Sequence, residues 1–179
     1  MTPPPARSSH RRSLLFLVRF VVLLVVLYVV VAWNPINDAV VVPLTAAIAR
    51  VSGTLLNALG ERVTVAGTEI HSGAFAVQIE NGCNGLEAAL LFAAAVLAFP
   101  APWRRKVIGL VVGFAAIQAL NLVRVISLFW IGAHRPALFS SSHTVLWQSA
   151  VVLASVLMFL AWAASGEKAR RAADAADGP

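Results

Sequence analysis

Cysteine occurs once in the 179 residues, at Cys83. A single thiol excludes an intramolecular disulfide framework and any site built from several cysteine ligands. Charge is scarce as well. Lys, Arg, Asp and Glu make up 12% of the chain against 59% hydrophobic residues, and mean hydropathy is +0.81. A soluble domain of this size could not hide so much apolar surface, so the composition implies lipid as the solvent. The formal net charge of +6 does not point to nucleic acid. The basic residues stand at the ends of apolar runs, where they act as topology determinants rather than as a phosphate-binding face.

What the chain does have is long apolar runs. A membrane span needs about 20 apolar residues. Leu14 to Trp33 meets that, broken only by Arg19, which can snorkel to the interface. Gly85 to Pro100 is shorter, while Val107 to Ile131 and Thr144 to Ala164 are ample. Arg7, Arg11 and Arg12 precede a first run too long for a signal peptide and without a small-residue cleavage site, so it predicts a retained anchor. The expectation is an α-helical integral membrane protein with about four transmembrane helices. Residues 1–13 form a basic cytoplasmic terminus, residues 14–165 the membrane core, and residues 166–179 a polar, frayed cytoplasmic tail.

Orientation follows from Arg11-Arg12, Arg104-Arg105-Lys106 and Lys168-Ala169-Arg170-Arg171, which a four-span arrangement puts on one side. The opposite loops hold only Arg50, Arg62 and Arg135. The bias places both termini and the Arg104 loop in the cytoplasm, and residues 34–82 outside. Within that outer segment Val40 to Leu59 is apolar but interrupted by Arg50, Ser52, Thr54 and Asn57, with Leu44, Ile48, Val51, Leu55 and Leu59 on one stripe. It reads as an amphipathic helix on the outer membrane surface, ended by Gly60. Val63 and Val65, then Phe75, Val77 and Ile79, alternate in the manner of a small β-hairpin or meander leading to Asn81-Gly82-Cys83.

Three residues on that outer side can carry chemistry. Cys83 lies in Glu80-Asn81-Gly82-Cys83-Asn84-Gly85, a tight turn at the start of an apolar helix, where unpaired N–H groups favour a thiolate. Arg124 lies inside the third span, about 26 Å of helix beyond Val107 and so near the outer boundary. An ionisable group there usually faces a cavity or a partner. Asn121, one turn earlier, is placed to orient it. His143 opens the fourth span at the same boundary, and His134 is its competitor in the outer loop. Each has a plainer reading: an inert interfacial cysteine, a snorkelling anchor and an interfacial histidine. Together they supply a nucleophile, an oxyanion stabiliser and an acid/base, which suits acyl transfer through a thioester. A Cys–His zinc site lacks an apparent third ligand, and no cofactor is implied. A thiol redox role lacks a second cysteine.

The motifs Glu80-Asn81-Gly82-Cys83-Asn84-Gly85, Asn121-Leu122-Val123-Arg124 and His143 with Trp147 one turn on resemble the exosortase/archaeosortase family, most closely its small exosortase H type. The resemblance implies a cysteine protease or transpeptidase of the plasma (inner) membrane. Cys83 would be the nucleophile, Arg124 the transition-state stabiliser and His143 the acid/base. Its partners would be exported proteins bearing a C-terminal sorting signal, made of a short motif, a membrane span and a basic tail. Asn84 departs from the family's commoner Cys-Ser-Gly. A non-enzymatic membrane assembly or chaperone subunit is the alternative.

Overall fold

The computed structural model describes residues 7–73, 75–141 and 146–176. Helix α1 spans Arg7–Ala32 and breaks at Trp33, where Pro35 opens the short helix α2 (Asn34–Ile36). A π-helical turn, Asn37–Val41, leads into α3 (Val42–Ala58). Strands β1 (Thr64–Ala66), β2 (Glu69–Ser72) and β3 (Phe75–Gln78) follow. The remaining helices are α4 (Leu86–Ala98), α5 (Trp103–His134), α6 (Pro136–Ser141) and α7 (Gln148–Ala176). α7 runs through Gly166 into the segment whose sequence reads as a frayed tail.

Four helical stretches are long and apolar enough to cross a membrane: His10–Ala32, Asn34–Ala58, Trp103–His134 and Gln148–Glu167. The expected number holds, but the set differs. Leu86–Ala98 is only 13 residues long, because Phe99 turns extended ahead of Pro100. It rises about 20 Å, short of a hydrocarbon core about 30 Å thick. The stretch read as a surface helix gains length from α2 and the π-turn instead.

Short as it is, α4 is the centre of the bundle and packs against α1, α5 and α7. It is apolar all round, as a helix enclosed by others must be. Its alanines let the neighbours approach closely, and Ala88, Ala89, Phe92 and Val96 join Ile117 of α5 and Val151 of α7 in one core. α1 turns Leu17, Val18, Val21, Val22, Val25 and Val29 outward. An unpartnered apolar face of that length belongs in lipid.

A second core lies at the far end of α5. Ile48, Ala49 and Leu56 of α3 meet Val63, Ile70 and Ile79 of the sheet segment and Val125 and Phe129 of α5. α3 packs against α5, β1 and β2. Its buried face is Thr45, Ile48, Ala49, Ser52, Gly53 and Leu56. Of the stripe expected from the sequence, Ile48 is buried and Leu44 packs against this core, whereas Val51 and Leu55 are exposed and Leu59 is 72% exposed.

The sheet is a three-stranded antiparallel meander in the order β1-β2-β3, rather than a single hairpin. Ile70 pairs with both Val65 and Val77 and is fully buried. The Asn57 side chain donates to the Val63 carbonyl and accepts from its N–H, both at 3.0 Å, which pins the meander to α3.

At the opposite end, Lys106 Nζ donates to the Leu97 carbonyl at 2.7 Å. Arg105 stacks over Trp162, 4.5 Å from the ring centroid, and donates to the Trp162 carbonyl. Gly113 of α5 lies directly under the Phe92 ring, which occupies the space a Cβ would need. Gly113→Val is therefore expected to lower stability by about 1–3 kcal/mol through overpacking. Thermal unfolding in detergent measures it, and an unchanged midpoint would contradict this packing.

Candidate active site

Two glycines shape the turn that carries Cys83. Gly82 has φ +92° and Gly85 has φ +73°, left-handed conformations in which a Cβ is strained. The Cys83 N–H donates to the Glu80 carbonyl at 2.9 Å, closing the turn. Asn84 is almost fully buried. Its Oδ1 accepts from the Leu86 N–H and its Nδ2 donates to Thr45 Oγ1, each at 3.0 Å. The amide thus caps α4 and ties the turn to α3. Asn81 is exposed and lines a cleft of about 140 Å³ beside Tyr28, Asn37 and Glu87.

Arg124 reaches the same turn from α5. Its side chain is 2% exposed. Nη1 donates to the Gly82 carbonyl at 3.4 Å and Nη2 to Cys83 Sγ at 3.6 Å. Nη2 also donates to Gln148 Oε1 at 3.3 Å, at the start of α7. Among the described residues no carboxylate forms an ion pair with it. A buried cation held by neutral acceptors keeps its charge available to whatever enters the site.

Asn121 is fully buried one turn below, and its side chain packs under Gly85, with 3.0 Å between Asn121 Cγ and the position a Gly85 Cβ would take. Its amide makes no hydrogen bond among the described residues. It supports the turn from beneath rather than holding the guanidinium. Gln118 lies one turn further down, and its Oε1 is 3.3 Å from the same Gly85 position.

Of the residues singled out from the sequence, the structure brings Cys83 and Arg124 together and sets Asn84 and Asn121 around their turn. His143 lies outside the described residues. His134 is exposed, stacks on Trp130 and has its Nε2 3.7 Å from Glu61. Gln148, Thr45 and Gln118 went unnoticed. Gln118 did carry a signal, as a polar residue three before Asn121 on an apolar helix. Among the described residues no three His, Cys, Asp or Glu side chains gather as metal ligands.

Burial holds the Cys83 thiol above its ordinary value. Arg124 draws it down, while Glu80 and Glu87 push it further up. The thiolate expected from the helix N-terminus is therefore opposed by desolvation.

A family model described as transmembrane exosortase matches residues 10–163. Searches of curated proteins and of solved structures give no match.

The charge pattern around the thiol sets a pH dependence. Alkylation of Cys83 by a water-soluble thiol reagent is expected to speed up only above the pH at which an ordinary thiol ionises. Removing the cation in Arg124→Gln moves the inflection upward, and removing the carboxylate in Glu87→Gln moves it downward. Identical inflections in the three proteins would sink this account.

Proposed function

The chain belongs to the transmembrane exosortase family, whose members are typically transpeptidases, and is a multi-pass membrane protein. From that premise we propose that it is a membrane cysteine protease or transpeptidase, which cleaves C-terminal sorting signals of exported proteins at the outer face of the plasma (inner) membrane. Cys83 attacks the scissile carbonyl, and His143 takes the thiol proton. Arg124 faces the oxyanion of the tetrahedral intermediate. As the C–N bond breaks, His143 returns the proton to the leaving amine, and a thioester remains on Cys83. Water or another nucleophile then attacks the thioester and frees the thiol.

The observation that carries this reading is the Arg124 Nη2 to Cys83 Sγ approach of 3.6 Å, made by a guanidinium with no carboxylate partner among the described residues. A developing negative charge beside that sulfur meets a full, poorly hydrated positive charge. The raised thiol value supports a separate general base. His143 precedes Gln148 by five residues, and Gln148 touches Arg124, so a histidine at that point of the chain is favoured for the role. Asn81, Asn84 and Asn121 are supporting residues: Asn84 and Asn121 hold the turn, and Asn81 stands at its exposed edge. The basic clusters favour cytoplasmic termini, with the site on the other side.

Co-expression with a protein bearing a motif, a span and a basic tail tests the proposal. Wild type is expected to process it and to yield a hydroxylamine-sensitive acyl adduct on Cys83, absent in Cys83→Ala. Arg124→Lys keeps the charge but loses the planar fork, and is expected to slow processing by about 100- to 1,000-fold. Undiminished processing by Cys83→Ala would overturn the assignment in favour of a non-enzymatic subunit.

A further inference from the structure

Arg19 stands about two and a half turns inside the apolar stretch His10–Ala32, where an arginine is unfavourable unless something meets its charge. Arg12 lies seven residues earlier, two turns along the same helical face and about 10 Å away along the axis. Both line one cleft of about 400 Å³ between α1 and the C-terminal end of α4, together with Leu15, Phe16, Ala98 and Pro100. Side chains on a helix lean toward its N-terminus, so Arg19 is drawn toward the end of α1 that carries Arg11 and Arg12.

Neither guanidinium has a hydrogen-bond or ion-pair partner among the described residues. The exposed carbonyl end of α4 does not supply one, since Lys106 already caps Leu97 there. The cleft wall is built of fixed groups. Phe16 stacks on Phe159 with centroids 6.1 Å apart and meets Phe99 edge-on at 6.4 Å. Beside the cleft, Leu14, Leu17, Val18, Val21 and Val22 of α1 are exposed, an apolar strip on which an acyl chain can lie.

We propose that Arg12 and Arg19 bind the phosphate of an anionic phospholipid, whose headgroup sits in this cleft while its acyl chains run along α1. Two forked cations line one cleft, and each can donate parallel hydrogen bonds to a phosphate held there. The lipid-facing strip selects a membrane phosphate over a soluble one. This site lies at the opposite end of the bundle from Cys83. It does not depend on the catalytic reading.

The test uses the full chain in nanodiscs of equal phosphatidylglycerol and phosphatidylcholine, released into a native mass spectrometer. Wild type is expected to retain phosphatidylglycerol in preference. Arg12→Gln and Arg19→Gln each weaken that retention by about fivefold, and the double variant by about 25-fold. Equal retention of the two lipids, or a double variant matching wild type, would overturn the proposal. A second measurement needs no variant: phosphatidylglycerol carrying a photoreactive headgroup is crosslinked to wild type. Adducts within residues 12–19 and 98–100 support the site, and adducts confined to other segments refute it.

Discussion

A buried guanidinium that forms no ion pair with a carboxylate among the described residues organises this molecule. Arg124 gathers the Gly82 carbonyl, the Cys83 sulfur and the Gln148 amide oxygen around one charge. Those three groups belong to the turn before α4 and to the first residue of α7, so the cation joins three separate stretches of chain. Each contact is to a neutral or weakly acidic group and leaves the charge uncancelled. A carboxylate in the same place would have made a more stable pair and a less useful one, because opposite charges at close range neutralise each other for any third group.

The position of that charge depends on two cores meeting at the turn. Below it the alanine-rich α4 packs α1, α5 and α7 closely. Above it α3 and the meander close over the last third of α5. Asn84 bridges the two, capping α4 with one end of its amide and holding Thr45 of α3 with the other. The Cys83 turn is thus fixed on both sides by ordered elements, a requirement for any group that must sit within ångströms of a reacting atom.

Much of this was legible in the sequence, for reasons that differ by residue. Cys83 and Arg124 stand out because each violates its surroundings: a thiol in a glycine–asparagine turn, a cation in an apolar helix. Helix rise alone placed Arg124 at the height of the turn. The Gln148 contact was not legible, since it links residues 24 apart through the approach of α7 to α5. β2 escaped notice because Glu69-Ile70-His71-Ser72 offers one apolar residue and no alternation. The face of α3 that packs on protein was not separable in the sequence, because it mixes Ile48 and Leu56 with Thr45 and Ser52.

The shortness of α4 has a geometric consequence for anything that approaches Cys83. Its C-terminal end is held beside the basic loop by Lys106, and its 13 residues climb about 20 Å. A hydrocarbon layer about 30 Å deep is about 10 Å deeper than that climb, so α4 carries Cys83 only part of such a distance from the Lys106 loop. α5 rises past it for another ten residues, from Arg124 to His134. Beneath the same turn the buried amides of Asn121 and Gln118 make no hydrogen bond among the described residues, so the support under Gly85 rests on packing alone.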